Sequence, residues 1–296
     1  MLAAVRKFFV VRQVMEVDTP ILASAAPINP HIEVMEVRMG AGAIGYLHTS
    51  PEYALKRLLA EGSGDIYQLS HVFRSGEKGR RHAPEFTMLE WYRHNLDFDA
   101  LIDEAVSLVS LFLGDILTER YTFREAFNQL IGFDYLGASE EKLQNAATSA
   151  GLDISPHWDR NELITLLFSE VAEAKFQTHV LTIISDFPAF TAALSKVVQR
   201  GDEPIARRFE MYARGVELAN GYDELTDGKE QRRRFEEHNK ERLLFGKKVL
   251  PIDEDLLSAL DRGMPDCRGV AIGFDRLLML RLGADHIEQI LPLVTT

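Results

Sequence analysis

Three groups of side chains in this sequence are of types that could do chemistry. The densest is a basic loop. Arg74, Lys78, Arg80, Arg81 and His82 fall within residues 74–82 of a chain whose net charge is −12. Charge runs are usually solvated faces, yet an acidic protein has no general reason to gather positive charge in one turn. The chemical reading is an anion receptor, with a nucleoside triphosphate as the usual anion. The second group is Glu217 and Glu224, on either side of Asn220-Gly221. Carboxylates near a triphosphate hold Mg²⁺, which takes oxygen ligands and bridges phosphates. Their odd separation puts them on opposite faces of one straight strand, and a break at Asn-Gly would reset the direction. Two surface glutamates are the plain alternative. The third group is Gly269-Val270-Ala271-Ile272-Gly273-Phe274-Asp275-Arg276. Small residues at 269, 271 and 273 put one face of a strand at backbone level, where a flat group such as adenine could approach. Arg276 then falls in the first turn of a helix, against the dipole preference. A ligand would explain that placement, and so would a packing salt bridge.

The elements that must position these groups are legible in outline. Residues 65–73 and 85–92 read as strands flanking the basic loop. Alternate strand residues share a face, so Phe86, Met88, Glu90 and Tyr92 lie together. Glu90 is the odd member, either solvent-facing or a cation receptor in a pocket floored by the sheet. Thr49-Ser50-Pro51-Glu52-Tyr53 reads as a helix start, with Ser50 as N-cap, Pro51 at the first helical position and Glu52 favoured by the dipole. Capping accounts for Ser50 and Glu52, and the same helix end can present both to a ligand. Residues 1–14 suit an amphipathic helix and 31–38 a strand, with a return strand at 46–48. Residues 97–113 form an amphipathic helix lined by Leu101, Ala105, Leu108, Val109 and Phe112. The segment 114–176 reads as helical and carries no motif. Val180–Ile184 is a buried strand, 207–219 two strands around Arg214-Gly215, and 227–245 a charged helix with a solvated face.

Composition bounds the rest. The chain has 296 residues, 46% hydrophobic and 26% charged, an ordinary soluble globular composition. One large α+β domain can absorb that length. The negative charge argues against nonspecific coating of nucleic acid. Cys267 is the single cysteine, which excludes an internal disulfide and fits a reducing compartment. No apolar run approaches a membrane span, and the N-terminus is not a secretory signal, so the expectation is a cytoplasmic protein. P-loop, strand-linked GxGxxG, CxxC, HExxH and GxSxG motifs are absent.

Val17-Asp18-Thr19-Pro20 resembles the end of motif 1 of the class II aminoacyl-tRNA synthetases. Phe73–Tyr92 resembles motif 2, and Gly269–Leu277 motif 3. With TSPEYALKRLL (49–59) and GVELANGYDEL (215–225), the chain resembles the lysyl-tRNA synthetase branch. Ser50, Ala271 and the run Glu90-Trp91-Tyr92 are similar to the pattern of a stand-alone relative, the elongation factor P lysine ligases. The likeness covers nearly the whole chain, weakly at 114–205.

That resemblance implies an α+β fold, an antiparallel β-sheet flanked by helices. It implies a single catalytic domain over 1–296, with a more variable, mostly helical region at about 114–205 and no anticodon-binding domain. It implies a homodimer formed through motif 1, ATP and Mg²⁺ as cofactors, and lysine or (R)-β-lysine as substrate. Elongation factor P would be the acceptor, with no tRNA and no membrane. By the same resemblance Arg74, Arg276 and Glu217 are catalytic. Arg74 stabilises the α-phosphate, and Arg276 holds the γ-phosphate. Ser75, Gly76, Glu77, His82 and Ala83 border ATP, with Leu218 at the nucleotide and Gly273 admitting adenine or ribose. Glu217 holds Mg²⁺. Ser50, Pro51, Glu52, Glu90, Tyr92, Asn220, Glu224 and Ala271 form the lysine pocket. The sequence departs from the family where motif 2 commonly reads Arg-x-Glu. Here it is Arg74-Ser75-Gly76-Glu77, with the Glu one residue later, and Ala83 stands in place of a common Asn. Two rival readings are a lysyl-tRNA synthetase fragment that charges tRNA and a non-catalytic regulatory paralogue that binds an amino acid.

Overall fold

The computed structural model describes residues 1–155 and 158–291. The chain forms two compact units, one from Met1–Gly114 and Gly221–Thr296, the other from Asp115–Asn220.

The first unit opens with helix α1 (Leu2–Val10) and two short strands, β1 (Met15–Glu16) and β2 (Leu22–Ala23). Strands β3 (Met35–Arg38) and β4 (Ile44–Leu47) follow, then helix α2 (Glu52–Ala60). Strands β5 (Ile66–Phe73) and β6 (Glu85–His94) flank the basic loop, and α3 (Phe98–Leu113) ends this part. In the second unit, β7 (Leu117–Thr122) precedes helices α4 (Phe123–Ile131), α5 (Glu140–Ser149) and α6 (Arg160–Leu167). Four strands then run in sequence: β8 (Val180–Pro188), β9 (Val197–Arg200), β10 (Glu203–Ala213) and β11 (Val216–Asp223), whose last three residues belong to the first unit. The first unit closes with α7 (Gly228–Leu244), α8 (Glu254–Gly263), β12 (Cys267–Gly273) and α9 (Phe274–Leu282).

The first unit's larger sheet has the order β1-β5-β6-β12. Its β5/β6 and β6/β12 pairs are antiparallel and its β1/β5 pair parallel. Strand β6 carries aromatic and branched residues on both faces, and Met88 to Tyr92 are all buried, as a central strand covered on both sides requires. Trp91 and Tyr67 are among the most deeply buried side chains, and Phe9 of α1 stacks on Tyr67 at 4.2 Å between ring centroids. Burying each such ring contributes roughly 1.5–3 kcal/mol. The stripe expected on α3, Leu101 to Phe112, is buried throughout.

The second unit orders its strands β11-β10-β8-β7, with β9 added on β10. The β8/β10 and β9/β10 pairs are antiparallel and the β7/β8 pair parallel. Its core is aromatic: Phe123, Phe127, Tyr135, Phe168 and Phe187 pack together, with Phe123 and Phe168 stacked at 4.1 Å. Strand β7 lies within the segment read from sequence as helical. Its residues, Leu-Thr-Glu-Arg-Tyr-Thr, are mostly exposed or half-buried, so they carry no apolar alternation to announce a strand.

Three further sequence expectations change. The 31–38 strand shrinks to Met35–Arg38, because Asn29 Oδ1 accepts from the backbone N–H groups of His31 and Ile32 and turns the chain there. Asn220-Gly221 is not a break, since β11 runs through it. The charged helix 227–245 is not only a solvated face. Its Arg242 is buried and donates to the carbonyls of Asn29, Ile32 and Lys248, locking α7 onto the 28–33 segment. Among the described residues no helix is long and apolar enough to cross a membrane.

Candidate active site

The N-terminus of α2 and the centre of β6 meet in the first unit and build a buried acidic pocket. Ser50 does two jobs there. Its Oγ accepts from the backbone N–H of Glu52 at 3.0 Å and donates to Glu90 Oε2 at 2.7 Å, while the N-cap of α2 is Pro51 and not Ser50, one residue later than the sequence suggests. Tyr92, two residues along β6 and so on the same face, donates its hydroxyl to Glu90 Oε1 at 2.6 Å. Glu224 enters just past the end of β11, where its backbone N–H bonds the carbonyl of Cys267. Lys56, one turn into α2, sits between the acids. Its Nζ lies 2.7 Å from Glu52 Oε1 and 2.7 Å from Glu224 Oε2. The side chains of Lys56 and Glu224 are only 2% and 1% exposed.

Strand β12 closes the pocket. Its register places Ala271 opposite Glu90 and Gly269 opposite Tyr92. A Cβ at Gly269 would come within 2.4 Å of both Glu224 Oε1 and the Tyr92 ring. The small face of this strand at 269 is therefore filled by the protein's own carboxylate and phenol, not left for adenine.

Burial dominates the electrostatics. Taking the carboxylates of Glu90 and Glu224 out of water disfavours their charged forms. Burial, with the charge of Glu52 added, pushes Glu90 up to about 7, against the opposing bonds from Tyr92 and Ser50. Burial likewise pushes Glu224 up to about 8, with Lys56 pulling it back. For Lys56 burial lowers its affinity for a proton, and the two neighbouring carboxylates outweigh that and raise it. The ammonium is thus charged, and the surplus acid among Glu90 and Glu224 shares protons near neutral pH.

The basic loop is a different kind of place. It leaves β5 at Phe73 and turns at Gly76, whose φ of +77° is in the left-handed region that glycine adopts without cost. Backbone bonds help to hold the loop: Ser75 N to Glu33 O, Gly79 with His82, and Ile287 N to Arg80 O. Arg74 lies over the Phe86 ring at 5.1 Å and 3.7 Å from Glu77 Oε1. On the adjoining helix α9, Arg276 donates to Arg81 O at 3.3 Å and approaches His82 Nε2 at 2.7 Å. A guanidinium can only donate, so that imidazole nitrogen accepts. Asp275 beside it accepts from the Thr87 N–H at 2.7 Å and ties the start of α9 to β6. Glu77, His82, Ala83, Phe86 and Arg276 line a shallow cavity. At Gly273 a Cβ would meet only the Arg276 side chain, at 3.4 Å.

In the second unit, Glu217 is exposed near the start of β11 and Leu218 is buried. Glu217 acts electrostatically on Glu210, whose affinity for a proton burial raises despite Arg208. Asn220 has a buried amide oxygen with no donor.

Ser50, Glu52, Glu90, Tyr92, Glu224 and Ala271 are therefore brought together, with Pro51 at the cap of α2. Arg74, Ser75, Gly76, Glu77, His82, Ala83 and Arg276 gather around the loop, and Gly273 lies at the start of α9. Glu217, Leu218 and Asn220 stand in the second unit. Two residues escaped the sequence reading. Lys56 is one, and its signal was present as Glu52-x-x-x-Lys56, the i,i+4 spacing of a helical ion pair. Gln68 is the other. It faces Glu90 across β5/β6, accepts from Thr19 Oγ1 at 2.8 Å, and keeps a buried Nε2 without a partner.

The description of the class II tRNA synthetases of the D, K and N type matches residues 1–296. The chain belongs to that family. Among its similar relatives is the elongation factor P--(R)-beta-lysine ligase of Vibrio parahaemolyticus, 46% identical over 98% of this chain and 92% of the relative. Proteins of the same name from Vibrio cholerae and Photorhabdus laumondii are each 44% identical, over 98% and 100% of this chain. Each of these alignments covers at least 91% of the relative. The mixed, mostly antiparallel sheet with flanking helices is the class II synthetase catalytic fold, and membership of the family brings ATP as the activating nucleotide.

Among the described residues no group of three or more His, Cys, Asp or Glu side chains is arranged to hold a metal. The charge of Glu217 raises the proton affinity of buried Glu210, whose two oxygens are taken by Arg208 and Tyr212; exposed Glu217 is the carboxylate whose chemistry fits Mg²⁺. That ion keeps several waters and is commonly held by one or two carboxylates together with substrate phosphates.

Proposed function

We propose that the protein activates (R)-β-lysine, or less well α-lysine, with ATP and transfers the acyl group to the ε-amine of a lysine on elongation factor P. In the first step a carboxylate oxygen of the amino acid attacks the α-phosphorus. Pyrophosphate leaves and an enzyme-bound aminoacyl-adenylate remains. In the second step the ε-amine attacks the acyl carbon, AMP leaves, and an amide forms with loss of a proton. Neither step needs a covalent nucleophile from the protein, because positioning and electrostatic stabilisation can carry both.

The observation that carries this reading is the acidic pocket. An ammonium on a flexible stem needs carboxylates, and Glu52, Glu90 and Glu224 already converge where the protein seats an ammonium of its own. Arg74 is assigned to the α-phosphate, where charge grows in the transition state, and Arg276 to the γ-phosphate. Arg276 would exchange its bonds to Arg81 O and His82 for phosphate oxygens. Ser75, Gly76, Glu77, His82 and Ala83 border the nucleotide, with Leu218 and Gly273 beside it. The buried amide oxygen of Asn220 is assigned to a substrate N–H. Glu217 would hold Mg²⁺, which neutralises phosphate charge when bound. The protein would work in the cytoplasm as a homodimer built on its N-terminal segment, where Leu2, Val10, Val11 and Met15 leave large apolar side chains exposed.

The test is the acceptor. Incubation with ATP, (R)-β-lysine and elongation factor P should add one β-lysyl group by mass, while tRNA-Lys stays uncharged. Charging of tRNA-Lys without modification of the protein would favour the synthetase reading instead.

A further inference from the structure

We propose that Lys56 is a built-in counter-ion of the pocket. With Glu52, Glu90 and Glu224 it leaves a site two charges negative, matched to an amino acid that brings two ammonium groups. The idea rests on the lysine-activating function proposed above and adds the origin of its selectivity.

The pairing is not a simple helix staple. One bond of Lys56 runs along α2 to Glu52, but the other crosses to Glu224, outside the helix. Among the described residues Glu90 receives neutral donors, the hydroxyls of Ser50 and Tyr92, and no cation within hydrogen-bond reach. Glu224 keeps an oxygen, Oε1, that is buried and has no hydrogen-bond partner among the described residues. Gly269 is what leaves room for that oxygen and for Tyr92, since a Cβ there would strike both. The ionisable groups facing the pocket are thus Glu52 and Lys56 from α2, Glu90 and Tyr92 from β6, and Glu224 from the end of β11. Three carboxylates and one ammonium leave two negative charges once all are ionised. Lysine and β-lysine each supply two ammonium groups. Norleucine supplies one and leaves a carboxylate buried without a cation, which is expensive in an apolar surround. Removing Lys56 would instead leave three charges facing two ammonium groups, and the acids would hold protons that the substrate must displace.

The test uses Lys56→Met, Lys56→Arg and the charge-rebalanced double variant Glu52→Gln/Lys56→Met. Each is read by lysine-dependent ATP–pyrophosphate exchange between pH 6.5 and 9. Lys56→Met should raise the KM for lysine about 30-fold or more while the KM for ATP moves less than about threefold. The double variant should recover about fivefold of that loss, which a purely packing role for Lys56 does not predict. In substrate-free protein, ¹³C NMR should show the Glu224 carboxyl titrating about one pH unit higher in Lys56→Met, and little changed in Lys56→Arg. An unchanged lysine KM together with an unmoved titration overturns the proposal. A wild type with no lysine-dependent exchange would sink the proposed function, and the titration would still decide the role of Lys56. If Lys56→Met does not fold, the double variant decides. It should fold and bind lysine, and a folded double variant that binds ATP but not lysine contradicts the counter-ion role.

Discussion

The acidic pocket and the basic loop lie in the same unit and are built on opposite principles. The pocket is buried and internally bonded. Its Lys56 and Glu224 side chains are almost fully buried, and each acid is tied to a neighbour from another element or another turn. The loop is open. Its Arg80 side chain is 60% exposed and its partner Asp285 77% exposed, and backbone bridges contribute to its shape. Burial makes charge expensive and selective, whereas exposure makes it cheap and adaptable. An amino-acid side chain can be discriminated by the first kind of site. A triphosphate, already strongly charged, needs only the second kind, with cations in reach when it arrives.

If that division holds, variants in the two regions should fail differently. The largest effect is expected at the loop. Arg276→Ala removes the cation proposed for the γ-phosphate and should lower adenylate formation about 10²–10³-fold. Its thermal unfolding should stay near wild type, because its bonds are to a half-exposed loop. Near-normal exchange in this variant would show that the motif 3 assignment is wrong. Next come Glu52→Ala and Glu224→Ala. Each should raise the KM for lysine about 30-fold or more with a much smaller change for ATP. Each should also destabilise the fold by about 3–5 kcal/mol, since a buried ammonium loses a partner. Equal effects on both KM values in steady-state exchange would erase the contrast between the two regions.

A smaller effect concerns pH. Glu90 and Glu224 bind protons more tightly folded, at about 7 and about 8, than the ordinary carboxylate value of 4.5. Between roughly pH 4.5 and 8 the folded state therefore holds more protons than the unfolded state. Stability contributed by these groups is present below 4.5 and is lost as pH rises through that window. Substrate-free protein should melt a few degrees lower at pH 8.5 than at pH 5.5 from this source. Lysine affinity should move the other way, improving about tenfold from pH 6 to 8.5 as the carboxylates ionise. Calorimetry with and without lysine reads both, and parallel trends would contradict the protonated pocket. The smallest effect is at Gly76. No atom lies within 4 Å of a Cβ placed there, so Gly76→Ala meets only the backbone strain of a φ of +77°. That strain costs about 1–2 kcal/mol and should raise the KM for ATP a few-fold, leaving lysine untouched.

The two regions also differed in how far the sequence disclosed them. Contiguous positive charge in an acidic chain announced the loop, and period-two alternation announced the strands around it. The pocket was disclosed only in fragments. Ser50, Glu90 and Glu224 are far apart in sequence, and nothing local links them. Alternation put Glu90 and Tyr92 on one face, and capping rules put Ser50 and Glu52 at one helix end. The resemblance to known motifs joined these pieces. Lys56 was missed because an i,i+4 Glu–Lys pair ordinarily means a solvated helix face. Only the fold shows that this one is buried and reaches Glu224. Gly269 was read as space for adenine, because a small residue marks a close approach without saying what approaches. Strand β7 was missed because an exposed strand has no apolar rhythm, and the buried Arg242 because a charged helix looks solvated from its composition.

In the proposed function the first unit's acidic pocket takes an amino acid with two ammonium groups and presents it to ATP. Lysine, (R)-β-lysine and norleucine, compared side by side in ATP–pyrophosphate exchange, test it most directly. Exchange should occur with both lysines, stronger with the β-isomer, and not above background with norleucine. Exchange supported equally by norleucine, or by none of the three, would contradict it.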